Sequence, residues 1–474
     1  MLDIIITNAT LITMEGRGLG IIENGSVGIK GNKIAAVGRT DEIRRNHDAH
    51  RLIDATGKVV VPGLIDAHFH SAIAILRGVA QDINNWLQEG IWPFIKVMGK
   101  EESVRGSLVN IIEGVKAGTT TFCDFDYYMN DIVHNHIKVG TRARVAETVN
   151  EIQDRIDSFA PGELYEFNSS VGEEKLQNNI RLIEEFHGAY NGRITCLFGP
   201  QAADMLSTEL LLEIRELAEK YETMIYMHVA QGDREMNQML KRYGRRSIPF
   251  LDEMGYLDEK LVTVHLTCAD PDETRLVAER GCSYVVCSGS IGLLGGVVPP
   301  LTDFIPYSSK AGLGTDQAPG NNCSNMFNEM KLTALFNKCK AKDPTVMPAW
   351  QVMKLATIGA AKAIGMEHEI GSIKEGKKAD VIIIGLEQPN LCPVITEPVR
   401  NIVPNLVYAA SGREVETVII DGRVVMEDRE MKTVDEKQAI REAQKAADEL
   451  AKRVCKTAPK IHSSLLRMME EGNL

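Results

Sequence analysis

His68-Phe69-His70 stands just past the apolar run Val59-Val60-Val61-Pro62-Gly63-Leu64-Ile65-Asp66-Ala67. In a strand, side chains repeat every second residue, so both imidazoles face the same way where the strand meets solvent. That is half of a metal site, since neutral imidazole is a common ligand of divalent ions. The chain carries its own control in His134-Asn135-His136. That pair lies in the polar segment Met129 to Gly140, which reads as helix or loop, where residues two apart do not share a face. It is expected to be ordinary surface histidine.

Other chemistry-bearing residues end other apolar runs. His228 closes Met224 to His228, His265 closes Leu261 to His265, and Asp316 closes Ala311 to Asp316. Four of the eleven histidines thus fall at expected strand ends. Imidazoles with a carboxylate can hold a borderline cation such as Zn²⁺ while leaving a position for water, whose pKa the ion brings toward neutrality. Asp316 would accept the proton of that water, and His265 would donate to a developing oxyanion or leaving nitrogen. The chemistry is hydrolysis by metal-activated water.

Elements must bring these residues together. From about residue 62 to 365 an apolar strand, a polar helical stretch and another apolar strand follow one another repeatedly. The expected strands are Val59 to His68, Thr119 to Asp124, Ala143 to Val149, Ile194 to Pro200, Met224 to His228, Leu261 to His265, Tyr284 to Ser288 and Ala311 to Asp316. Strands alternating with helices imply a parallel sheet, and eight of them suffice to close an α/β, TIM-like (β/α)8 barrel with its site at the C-terminal strand ends. No strand is followed by the GxGxxG turn of an open dinucleotide-binding sheet.

Residues 1–60 read as short strands separated by glycine turns. A matching set returns in Gly371-Ser372-Ile373, Ala379 to Ile384, Glu416 to Ile420 and Arg423 to Met426. We expect one small β-sandwich domain assembled from both termini: residues 1–60 and 367–430 around a metal-dependent barrel of residues 61–366, then a helical extension over residues 431–474. In that extension Ala439, Ile440, Ala443, Ala446, Ala447 and Leu450 form an apolar stripe, and Thr433 with Glu436 suits a capping box.

Composition narrows the partners. The net charge of −12 is spread along the chain, and the Lys/Arg clusters are short, so nucleic acid is not expected. Nine cysteines without CxxC spacing fit reduced thiols, and no stretch is long enough to cross a bilayer, so a cytoplasmic enzyme is expected. Cys323 has no histidine in a suitable position and reads as a bystander thiol. Asn and Ser residues in Gly320 to Asn325 are expected to cap a helix beginning near Met326.

Several motifs run nearly end to end: Pro62-Gly63-Leu64-Ile65-Asp66-Ala67-His68-Phe69-His70, Leu76-Arg77-Gly78, Trp86-Leu87 with Ile91-Trp92-Pro93, Ala117-Gly118-Thr119-Thr120-Thr121, Gly314-Thr315-Asp316, and Gly376-Lys377-Lys378-Ala379-Asp380. Together with His228 and His265 they resemble the amidohydrolase superfamily, on the branch of triazine hydrolases and S-adenosylhomocysteine-type deaminases. The resemblance implies a hydrolase of carbon–nitrogen bonds other than peptide bonds, a deaminase of a heteroaromatic amine such as a triazine, purine, pyrimidine or pterin. It also implies that His68, His70, His228 and Asp316 bind one divalent ion, Zn²⁺ or alternatively Fe²⁺. His265 and Asp316 would move protons, Trp86, Gln201 and Gln231 would touch substrate, and relatives commonly form homo-oligomers. Two-metal members carry a lysine at the end of strand four, where this chain reads Cys196-Leu197-Phe198-Gly199-Pro200-Gln201. Alternatives are an S-adenosylhomocysteine or 5'-methylthioadenosine deaminase, a dechlorinating triazine hydrolase, and a noncatalytic scaffold on the same fold.

The departures from that family pattern lie at the mouth. Where deaminases resemble one another in a glutamate three residues after the strand-five histidine, this chain has Gln231, which cannot deliver a proton. The proton then comes from His265 or water, or Glu235 reaches in, or the substrate needs none. Gln201 replaces a histidine of Gly-Pro-His-Ala, and Cys287-Ser288-Gly289-Ser290 replaces an Asn-Pro segment. Both differences weigh against adenosyl substrates.

Overall fold

The apolar run that leads into His68 breaks at Gly63 into two strands of two different sheets. Lys58–Pro62 lies parallel to Leu2–Ile12 and antiparallel to Val381–Gly385, while Leu64–His70 starts the barrel. A Cβ at Gly63 would collide with the Thr120 side chain, so only glycine fits where the chain passes between the sheets. The expected single strand from Val59 is therefore corrected: an apolar run marks burial but not the sheet that provides it.

The computed structural model describes the chain apart from residues 17, 83–85, 153–162, 458–467, 469–470 and 474. The sheet built from both ends has nine strands. Its order runs Glu430–Met431, Arg423–Glu427, Val415–Ile420, Val381–Gly385, Lys58–Pro62, Leu2–Ile12, Ile21–Lys30 and Lys33–Arg39, with Ala49–Asp54 also paired to Leu2–Ile12. Gly371-Ser372-Ile373 is a turn rather than a strand, tied in by the Ile373 N–H on Thr13 O at 2.8 Å.

Eight parallel strand positions form the barrel. In order they are Leu64–His70, Thr119–Asp126, Arg142–Val149, Ile194–Cys196 continued by Gly199–Pro200, Ile225–Val229, Leu261–His265, Ser283–Val286, and Ala311–Leu313 continued by Asp316–Gln317. Bridges from Phe198 to Ile225 and from Ala202 to His228 join the fourth position to the fifth. Asp316 pairs with Phe69 and closes the ring. Ile65, Ala67, Phe125, Leu197, Tyr226, Val262 and Val285 cluster in one apolar core and are fully buried. Strands covered on both faces read as unbroken apolar runs, which is why periodicity found them. Gly314 lets the eighth strand approach the first, because a Cβ there would lie 2.6 Å from His68 Cβ.

The helix Glu436–Thr457 packs on Lys100–Lys116 and buries Ala439, Ala446 and Leu450, whereas Ile440 is exposed. Its N-terminal cap is Asp435, which accepts from the Gln438 N–H at 2.8 Å. Thr433 instead donates to Val139 O, also at 2.8 Å, so the expected capping box is replaced by a tertiary bond.

Arg142, on the third barrel strand, is fully buried and fastens barrel to terminal sheet. Its Nε and Nη2 reach the two Asp380 carboxylate oxygens at 2.6 and 3.1 Å, and Nη2 also reaches Asp421 at 3.0 Å. Burial opposes its charge, but the two aspartates hold the guanidinium pKa above its usual range. Arg142→Ala leaves both carboxylates without their cation and is expected to cost about 3–5 kcal/mol. Arg142→Lys, lacking the planar fork, should fall between. Urea unfolding of the three proteins checks this, and equal midpoints would refute it.

Candidate active site

Because strands one, five, six and eight present side chains inward at their C-terminal ends, His68, His70, His228, His265 and Asp316 converge. The His68 ring centroid lies 4.7 Å from that of His70, 5.0 Å from His228 and 5.3 Å from His265. Asp316 Oδ1 is 3.5 Å from both His68 Nε2 and His70 Nε2, and His70 Nε2 is 3.4 Å from His228 Nε2. Ligand atoms of His68, His228 and His265, and separately of His68, His70 and Asp316, lie within 4.8 Å of one another.

The direction of each imidazole follows from what its other nitrogen touches. His70 Nδ1 faces Phe125 O, and His228 Nδ1 lies 2.7 Å from Gln201 O. A carbonyl only accepts, so each Nδ1 carries the proton and each Nε2 keeps its lone pair. His68 Nδ1 lies 2.8 Å from Tyr226 Oη, whose single proton goes to Ala67 O. The phenol must therefore accept from His68, which leaves that Nε2 bare as well. Burial holds the Tyr226 pKa far above its usual value, so the phenol stays protonated. Three lone pairs thus point into one small space, the tautomer that a metal ligand requires.

Three further features fit an ion and a reacting group. His68 Nε2 and both nitrogens of His265 are buried without a hydrogen-bond partner among the described residues. Unmet buried polar atoms are costly unless something occupies the cavity. Burial pushes the pKa of His68 and His265 well below the ordinary value, lowers His228, and takes His70 down to about 3, so all four rings are neutral. His265 and Asp316 also hold left-handed backbone, φ 76° and 62°, which costs non-glycine residues on the order of 1–3 kcal/mol each.

Supporting residues that the sequence reading missed fix this geometry. Asp66 accepts from the Thr315 N–H at 2.9 Å and hydroxyl at 2.5 Å, which pins the residue before Asp316. Burial raises the Asp66 pKa to about 7 against those hydrogen bonds. Ser290 donates to Asp316 Oδ2 at 2.5 Å and leaves Oδ1 toward the histidines. Asp66 and Tyr226 each lie two residues before a site histidine, so strand alternation alone could have flagged them.

His136 is corrected from surface to core. It is fully buried, with Nε2 3.0 Å from Asp124 Oδ2 and Nδ1 2.8 Å from Thr141 Oγ1. Asp124 in turn accepts from Ser71 N and Oγ, the residue after His70. His134 is exposed, as expected. Asn325 caps the helix Met326–Ala341 by accepting from the Phe327 and Asn328 N–H groups.

The residues expected to touch substrate are less uniform. Gln201 directly follows the fourth strand position, Gln231 lies two residues past the fifth, and both are half-buried. Trp86 is half-buried and packs against the main apolar core. Glu235 does not reach in: its carboxylate accepts from the Ala230 and Gln231 N–H groups, both at 2.8 Å, and from the Ser247 hydroxyl at 2.5 Å. It holds the left-handed Ala230, φ 52°, that turns the chain toward Gln231.

Known proteins share this arrangement of elements. The amidohydrolase family profile matches residues 59–425. A 5'-deoxyadenosine deaminase of Methanosarcina mazei is 34% identical over 96% of this chain and all of its own length. A 5-methylthioadenosine/S-adenosylhomocysteine deaminase of Thermoanaerobacter pseudethanolicus is 32% identical over 95% of this chain and all of its own. Among solved structures, a zinc-bound adenosine deaminase from Xanthomonas campestris superimposes with a TM-score of 0.87 at 26% identity, covering 95% of this chain and 99% of that one. A triazine hydrolase shares the fold with a TM-score of 0.83 at 19% identity, covering 94% of this chain and all of that one. The chain belongs to the amidohydrolase family, and it is a metal-dependent hydrolase on that family's deaminase branch.

Proposed function

We propose that this enzyme removes the amino group of a heteroaromatic amine by hydrolysis, with one divalent ion held by Nε2 of His68, His70 and His228 and by Oδ1 of Asp316. The observation that carries the reading is the common Nδ1–H tautomer of the three ligand histidines, which leaves three lone pairs and a carboxylate oxygen facing one space. Zn²⁺ suits this donor set, with Fe²⁺ as the alternative. A single ion is favoured because the fourth strand ends in Gly199-Pro200-Gln201, without a lysine. When bound, such an ion would lower the pKa of its water and so make hydroxide available near neutral pH.

The chain's own groups do the rest. Ser290 fixes the Asp316 carboxylate, which takes the proton of the attacking water and returns it to the departing nitrogen. His265, neutral and with both nitrogens uncommitted, donates to the charge that develops at the leaving side. The first substrates to try are purine nucleosides of the 5'-deoxyadenosine type, because relatives with that named activity align over nearly the whole chain. A second reading, loss of another leaving group such as chloride from a triazine, is favoured by Gln231, whose amide cannot protonate a ring nitrogen. All nine thiols are unpaired and no described helix is long and apolar enough to cross a membrane, which suits a cytoplasmic enzyme. A homo-oligomer is part of the same proposal.

Ammonia release should be measured on 5'-deoxyadenosine, S-adenosylhomocysteine, guanine, cytosine, pterins and amino-triazines. Dialysis against a strong chelator is expected to abolish the activity found, and Zn²⁺ or Fe²⁺ to restore it; full activity after chelation sinks the proposal. Asp316→Asn should lower kcat by about 10²–10⁴-fold with an unchanged circular dichroism spectrum. Unchanged turnover in that variant would favour a scaffold.

The depressed histidine pKa values also set a pH dependence for the metal-stripped protein. Between the folded value of about 3 for His70 and its ordinary 6.5, the unfolded chain binds more protons than the folded one. Stability from this group is therefore full above pH 6.5 and is lost as pH falls toward 3. Asp66, Glu235 and Glu329, pushed up by burial to about 7, 7 and 8, act in the opposite sense. The histidine share is isolated by comparing wild type with His70→Gln in urea at a series of pH values. The variant is expected to gain relative stability as pH drops through that window, and a constant difference would contradict it.

A further inference from the structure

Tyr127, Asn150 and Gln201 are each the first residue past the second, third and fourth barrel strand positions. These strands lie between those of His70 and His228, so the three residues line one continuous part of the mouth. Groups that can only donate fix which way each amide faces. Lys175 Nζ and the Ile152 N–H both reach Asn150 Oδ1, at 2.9 and 3.1 Å. Neither has a lone pair to offer, so the Asn150 oxygen must face them. Its Nδ2 is then turned to Gln201 Oε1 at 2.5 Å and to Tyr127 Oη at 2.6 Å. The Tyr127 hydroxyl, having accepted, directs its own proton to the same Gln201 oxygen at 3.4 Å. Gln201 Oε1 is thus taken up by the wall. What remains is Nε2, two N–H donors on a half-buried side chain with no partner among the described residues. The backbone carbonyl of Gln201 accepts from His228 Nδ1, which places this residue beside the reaction centre.

We propose that Gln201 is a specificity-determining residue that offers only donors, so that the enzyme selects heteroaromatic amines with a hydrogen-bond acceptor on the edge facing the fourth strand. This rests on the deaminase reading. A bare ring nitrogen or an oxo group satisfies Gln201. An N–H or amino group there would oppose donor to donor and leave both unpaired. Lys175 sets this polarity at a distance, through Asn150, without touching the substrate.

Asn150→Asp tests it. A carboxylate at 150 accepts on both sides, pairs with Lys175, and forces the Gln201 amide to turn its NH₂ inward and its oxygen to the mouth. Gln201→Glu, which presents an acceptor directly, is the second variant. Equilibrium binding by calorimetry and steady-state turnover are measured with 5'-deoxyadenosine and its 1-, 3- and 7-deaza analogues, each of which replaces one ring acceptor by C–H. Wild type is expected to bind one analogue about tenfold or more weakly than the parent. Both variants should raise KM for the parent by a similar factor, with kcat nearly unchanged, and lose the preference between parent and that analogue. Thermal unfolding verifies that each variant is folded, and if one is not, the other decides. Retained discrimination in a folded variant overturns the proposal, as does equal binding, or no binding, of all four compounds by wild type. Binding without turnover sinks the deaminase reading alone, since the binding ratios still decide the role of Gln201.

Discussion

Three imidazoles, two buried and one partly so, have their protons committed to acceptors behind them, and their bare nitrogens consequently face one another across a space a few ångströms wide. In water such a cluster would protonate or drift apart. Here desolvation keeps the rings neutral, and Phe125 O, Gln201 O and the Tyr226 hydroxyl keep them turned. Much of the barrel's irregular detail serves that constraint: the glycine at 314 that lets the eighth strand close on His68, the left-handed residues at the strand ends, and the buried carboxyls beneath the loops.

Those carboxyls share a pattern. Asp66 holds Thr315, Asp124 holds Ser71, Asp126 holds the Ala72 N–H, Glu147 holds Tyr128 and Met129, and Glu235 holds Ala230 and Gln231. Each uses a side chain on or near one strand to satisfy backbone N–H groups of a loop that leaves the mouth. Loops carry unsatisfied donors by nature, and a buried acceptor makes their conformation nearly single-valued. Glu235 shows how this reshapes the chemistry: its position in the sequence suggested a proton donor, but three donors already occupy its two oxygens.

The polar wall at Tyr127, Asn150 and Gln201 extends the same logic outward. A cation at Lys175 decides the orientation of one amide, and that amide decides the next. A glutamine at such a place differs from a histidine in more than size. Histidine can switch its donor by changing tautomer, whereas a glutamine held by its oxygen has a fixed polarity.

Much of the fold was legible in the sequence, because barrel strands covered on both faces are unbroken apolar runs and their polar ends stand out against them. His68, His70, His228, His265 and Asp316 were visible for that reason alone. Period two on the first and fifth strands also contained Asp66 and Tyr226, though nothing local said that a buried aspartate or phenol would orient a neighbour. The rest depended on contacts between residues far apart in the chain. Gly63 divides one apolar run between two sheets because of Thr120, and His136 is core rather than surface because Asp124 lies against it. The Gln201 amide oxygen is turned to the wall because a lysine on a separate helix fixes Asn150 behind it. The sequence by itself determined which side chains could bind a cation and that alternating strands and helices would gather them at one rim. Only the tertiary structure decided where each proton sits and which way each amide points, since a hydrogen bond's direction is set by its partner, and those partners come from elsewhere in the chain.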